Sequence, residues 1–97
     1  MNVELKKFGS TLISRQTGRE AFSAFQSTLE EVNETENIVI NFEGVITFSP
    51  SWGDEFLTPL LKRFGDRLIL NNTQNSSVLA TLKTLEEIGS QKFNISD

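Results

Sequence analysis

The chain has 97 residues, a net charge of −4, and neither cysteine nor histidine. A chain of this length buries only about 60–65% of its unfolded surface, which suits a single domain, residues 1–97, without a deep cavity. The missing residue types exclude disulfides and thiolate metal sites and remove the commonest general base near neutral pH, so no cofactor, no metal and no enzymatic activity are expected.

The acidic balance opposes a phosphate backbone, so nucleic acid is not an expected partner. No apolar run reaches the roughly 20 residues of a membrane helix, and MNVELKKF lacks the apolar centre of a signal peptide, so the expected setting is cytoplasmic, away from membranes.

Val3, Leu5 and Phe8, then Thr11–Ser14 after Gly9, read as two short strands joined through that glycine. From Arg15 the spacing of Phe22, Phe25, Leu29 and Val32 predicts one face of a helix, capped by Ser14 and ending in the glutamate-rich stretch 30–36, a solvated turn or an acidic docking patch. Ile38–Phe42 (IVINF) predicts a central strand buried on both faces. Trp52, Phe56, Leu60 and Phe64 recur every fourth residue and mark a second helix, with a bend or break expected near Pro59 and an end at Gly65. Leu68–Leu70 predicts another buried strand. A third helix follows, capped by Asn75 or Ser76, with Val78, Leu79, Leu82, Leu85 and Ile88 inward and Gly89 just beyond its end. Phe93 and Ile95 suggest an edge strand. The expected fold is a small layered α/β domain with three main helices and a mixed, mostly parallel sheet, the N-terminal pair being antiparallel.

The densest stretch is NFEGVITFSPSWGDEF, residues 41–56. Ser49 followed by Pro50 fits an N-cap and first helical position, and Ser51 with Asp54 fits a capping box two residues later. Asp54 and Glu55 point about 100 degrees apart on a helix, so they are expected to be dipole partners rather than a catalytic or metal-binding pair. Arg15 is placed either to pair with one of these acids or to contact an anion. Trp52 and Phe48 are either core or, if partly exposed, interface anchors. Asn71–Asn72–Thr73 ends a strand where α/β sheets place ligands, with a turn as the default reading.

From GSTLISRQTGREAFSAF through IVINFEGVITFSPSWGDEFLTPLLKRFGDRLILNN to SSVLATLKTLEEIGSQKFNI, the chain resembles STAS domains, the fold of bacterial anti-sigma-factor antagonists and sulfate-transporter tails, and is most similar to a poorly characterised STAS-like branch. The resemblance implies a regulatory protein-interaction module whose partner is an anti-sigma-type ATPase or kinase. In the antagonists, a serine at the start of the helix after the central strand is phosphorylated by that kinase, which releases it. Carried onto this chain, Val45 and Phe48 match hydrophobic positions, Ser49 stands where the family usually has aspartate, and Trp52 replaces a glycine. The phosphoacceptor position falls on Pro50, leaving Ser49 and Ser51 as candidates. The expected surface is therefore Ser49–Phe56, with Phe48, Ser49, Ser51, Trp52, Asp54 and Glu55 as interaction candidates. The alternative is a sensor of a nucleotide or other anion, held near Arg15, Ser49 and Asn71.

Overall fold

Ile38, Ile40, Leu68 and Leu70 are almost completely buried, while Val39, Asn41, Ile69 and Asn71 between them are half-exposed. That alternation belongs to a sheet packed on one face only, and it corrects the expectation of a strand buried on both faces. The computed structural model describes residues 1–97 as β1 (Asn2–Glu4), β2 (Thr11–Leu12), α1 (Arg15–Leu29), β3 (Ile38–Asn41), β4 (Thr47–Phe48), α2 (Pro50–Phe64), β5 (Leu68–Asn71), α3 (Ser76–Gly89) and β6 (Asn94–Ile95). Short 3-10 turns fill Leu5–Phe8 and Gly65–Arg67.

The main sheet has the order β1-β3-β5-β6, and β2 and β4 form a separate pair. Every pairing is parallel, so the expected antiparallel N-terminal pair is not formed. The 3-10 turn separates β1 from β2, which then pair with different partners, β3 and β4. With strands taken in sequence order, right-handed crossovers carry every connection over the same face of the sheet. The three helices therefore cover that face, and Asn2 and Glu4 stand exposed on the other. The strand order never reverses, so the sheet lacks the switch-point crevice that doubly wound folds use for ligands.

Capping follows the local chemistry. Ser14 Oγ accepts from Thr17 N–H at 3.1 Å, Asn75 Oδ1 accepts from Ser77 and Val78 N–H at 2.7 and 3.3 Å, and Gly65 ends α2 at φ 55. Of the bend or break expected near Glu55 to Pro59, the break does not occur: α2 runs continuously through Pro59, because an interior proline deletes a single backbone bond and the Trp52, Phe56, Leu60 and Phe64 face stays buried throughout. In α3 the inward residues are Val78, Thr81, Leu82 and Leu85, whereas Leu79 and Ile88, expected inside, are exposed. This outer helix packs along a narrower stripe than its apolar residues span. No helix is long and apolar enough to cross a membrane.

Candidate functional site at the corner between β4 and α2

Strand β4 is two residues long, and the rest of the fold holds it from both sides. On one side Ile46 and Thr47 N–H both donate to Ser10 O, at 2.8 and 3.1 Å, and Ser49 N–H donates to Leu12 O at 2.9 Å. On the other, side chains from the start of α3 replace a neighbouring strand. Phe48 N–H donates to Ser77 Oγ at 3.0 Å, the Thr81 hydroxyl donates to Phe48 O, and Asn75 Nδ2 donates to Val45 O and Ile46 O at 3.1 and 2.9 Å. These bonds explain why Thr81 is buried although polar.

Ser49 is the N-cap of α2. Its hydroxyl donates to Ile13 O and its Oγ accepts from Trp52 N–H at 3.2 Å, so it is engaged in both directions and ties the end of β2 to the helix. Replacing Ser49 by alanine is expected to lower unfolding free energy by about 1–2 kcal/mol, read as a shift in the urea midpoint. With Pro50 as the first helical residue, the alternative Ser51–Asp54 capping box is not used. Ser51 is half-exposed and its hydroxyl engages no protein partner.

Trp52 and Phe48 are each 1% exposed, which corrects the reading of either as an interface anchor. Their rings lie 5.9 Å apart, and Trp52 stacks on Phe56 at 5.1 Å with Phe8 at 6.1 Å. This aromatic block is the floor of the corner. What the corner presents outward is aliphatic: Ile13, 51% exposed, beyond β2, and Ile46, 66% exposed, before β4. Pro50 is also exposed, as is Leu79, one turn along α3 from the Asn75 cap that holds the Ile46 carbonyl. The alternation beside inward Leu12 already puts Ile13 outside. No comparable signal marks Ile46, which follows a turn at Gly44 of φ 86.

The structure brings Arg15, Asp54 and Glu55 together. Arg15 Nη1 donates to Asp54 Oδ2 at 2.9 Å and to Glu55 Oε1 at 3.1 Å, and Arg19 Nη2 lies 3.4 Å from the same Glu55 oxygen. One nitrogen is thus addressed by both adjacent acids, contrary to the argument from helix geometry, because a long arginine from α1 bridges the angle between them. The acids also lie beyond the first turn of α2, so they are ion-pair partners across the α1–α2 contact rather than partners of the dipole. The Arg15 hydrogen bond holds the Asp54 carboxyl below the usual carboxylate range against partial burial, with Thr58 assisting, and the two acids in turn raise Arg15. The Ser49 hydroxyl faces a carbonyl instead of a base, and no three acids cluster as metal ligands.

Asn71 lies apart from this corner. It pairs in register with Asn41 and lines a shallow depression of about 460 Å³ with Asn2, Glu4 and Val39 on the open face of the sheet. Its Oδ1 is buried without a hydrogen-bond partner. Arg15 and Ser49 contribute nothing to that depression, so the three residues expected to hold an anion do not form one site.

Comparison of the chain with protein-family models, with curated proteins and with solved structures finds no match in any of the three.

Proposed function

We propose that this protein is a non-catalytic, STAS-like regulatory module that docks onto a protein partner through the corner formed by the β2–β4 pair and the start of α2. The observation that supports the reading is the exposure of two isoleucines, Ile46 and Ile13, at the two ends of the short β2–β4 ladder, on a hydrogen-bonded base. Their backbones are fixed by the ladder, by Ser49 and by Asn75, so little conformational entropy is lost when a partner covers them. The partner class, an anti-sigma-type ATPase or kinase in the cytoplasm, rests on the resemblance of the chain to anti-sigma-factor antagonists. A photo-cross-linking residue at Ile46 is expected to capture such a protein, and the same residue at Ile88 is not. Equal capture at both positions contradicts the assignment of the surface.

Phosphorylation is a narrower form of the same reading, and the geometry distinguishes the two serines. A phosphate on Ser49 would break the cap and the bond to Ile13, whereas Ser51 is free and stands in the first turn of α2, where the helix dipole favours negative charge. Incubation with the cognate kinase is therefore expected to add one phosphate, seen by intact mass, that Ser51→Ala abolishes and Ser49→Ala does not.

The unpaired Asn71 Oδ1 favours a second reading, a polar small molecule on the open sheet face. A metabolite that raises the melting temperature of the wild type and not of Asn71→Ala supports that reading over docking.

A further inference from the structure

The segment Phe93–Asp97 is bound to the rest of the domain as an extended ligand is bound. Asn94–Ile95 adds a parallel strand to the edge of β5, and Ser96 N–H donates to Leu70 O at 2.9 Å. The Phe93 ring is buried and lines a groove between α2 and α3 with Leu61 and Leu85, while its N–H donates to Glu86 Oε2 at 2.8 Å. Asn94 Nδ2 donates to Asp66 O at 3.0 Å. At the far end the loop between β5 and α3 clasps the Asp97 carboxylate, which accepts from the Thr73 hydroxyl, from Thr73 N–H at 3.2 Å and from Gln74 Nε2 at 3.1 Å. Thr73 is completely buried, and its hydroxyl is committed to this carboxylate. The Thr73 hydroxyl, with further help from Thr73 N–H and Gln74, holds the Asp97 carboxyl below the ordinary range against the opposing effect of desolvation.

The attachment is local. Asn94, Ile95, Ser96 and Asp97 are exposed and their strand is two residues long, features of segments that open at free energies far below that of global unfolding. The connecting residues Ser90, Gln91 and Lys92 are exposed as well, and Ser90 reverses the chain at φ 53, a left-handed conformation that strains a residue bearing a β-carbon. Release of the segment bares the edge of β5, whose unpaired backbone groups accept another strand.

We infer that the β5 edge, the α2–α3 groove and the Asn72–Gln74 loop form a strand-acceptor site for an extended segment with an aromatic residue followed four positions later by a carboxylate, and that its occupant in trans is Phe93–Asp97 of a second copy of this chain. Everything the site reads is supplied by that segment, and exchange of an identical element between two copies preserves every contact. In cis the segment competes at an effective concentration of about millimolar, so dilute chains stay closed and exchange is driven by crowding copies together. The inference is independent of the docking corner.

The test uses the full chain carrying Phe93→Ala and Asp97→Asn, which damages the segment and leaves the acceptor site intact, and a labelled peptide of residues 91–97 amidated at its end. The peptide is expected to bind this double variant at least about tenfold more tightly than the wild type, whose own segment competes, and the peptide bearing Asp97→Asn is expected to bind at least about tenfold more weakly. Mixing the double variant with a Thr73→Val chain, whose segment is intact and whose own site is damaged, is expected to give a heterodimer in sedimentation that neither chain forms alone. Absence of peptide binding to a double variant with the wild-type circular dichroism spectrum overturns the inference. Unfolding of that variant also overturns it, since an exchangeable segment leaves the remaining domain folded. Peptide binding without a heterodimer overturns the second copy as occupant.

Discussion

Replacing Trp52 with alanine is expected to lower the unfolding free energy by about 3–5 kcal/mol, a large part of the roughly 5–15 kcal/mol that holds a domain of this size together. The indole is 1% exposed and its ring contacts Phe8, Phe48 and Phe56, three aromatics contributed by three different parts of the chain. Truncation to a methyl group removes the transfer free energy of the ring and leaves a cavity that these rigid neighbours cannot fill. Circular dichroism in urea measures the loss, because the substitution removes the only tryptophan. A change below about 1 kcal/mol contradicts the packing described. Because Trp52 is floor and not surface, any effect of Trp52→Ala on the proposed docking would reflect lost packing and could not report on an interface.

The second large effect is expected at Gly18, where helix propensity and packing make opposite predictions. In an isolated helix Gly→Ala gains about 1 kcal/mol. Here a β-carbon at Gly18 meets the Trp52 carbonyl oxygen at 2.8 Å and Trp52 Cα at 3.0 Å. Both are backbone atoms and cannot turn aside, so α1 must move off α2 and strain the Arg15 bridge to Asp54 and Glu55 along the same contact. Overpacking of this kind costs about 1–3 kcal/mol and occasionally more, and packing is expected to win with a net loss of about 2 kcal/mol. A Gly18→Ala chain with an unchanged or higher urea midpoint contradicts the close approach of the two helices.

These two positions show what was legible in the residues and what was not. The 52-56-60-64 spacing already marked a buried helical face, and the run Ile38–Phe42 already marked an interior strand. Ser14 was legible as a cap, and Ser49 and Asn75 each as one of two candidates, because capping is a local interaction between a side chain and amides two or three residues on. The partners of β1 and β2 were not, since strands of two or three residues carry no register signal and their partners lie more than 35 residues away. The need for glycine at position 18 was hidden for the same reason: it is set by the Trp52 backbone on another helix.

The candidate site was legible in its location and not in its surface. Residues 41–56 do form a corner built around Ser49 and Pro50. Large aromatics at a helix start are ambiguous by composition, and the structure resolves Trp52 and Phe48 as floor, leaving Ile13 and Ile46 as the outward groups. For Arg15 the sequence left open a pairing with one of the acids or an anion contact, and the structure pairs it with both acids, because its reach across the α1–α2 contact is set by packing that the sequence does not display. The clasp of Asp97 by Thr73 and Gln74 was out of reach, since nothing short of the strand order places those residues together.

The most direct measurement of the account is the affinity of the captured partner for the wild type, for the double variant Ile13→Asp/Ile46→Asp and for Ile88→Asp. All three are surface substitutions, so each chain is expected to keep the wild-type urea midpoint within about 0.5 kcal/mol. The double variant is expected to bind at least about 100-fold more weakly, the scale on which central anchors act, with Ile88→Asp within about threefold of the wild type. Undiminished binding by a folded Ile13→Asp/Ile46→Asp chain contradicts the claim that this corner is where the protein meets its partner.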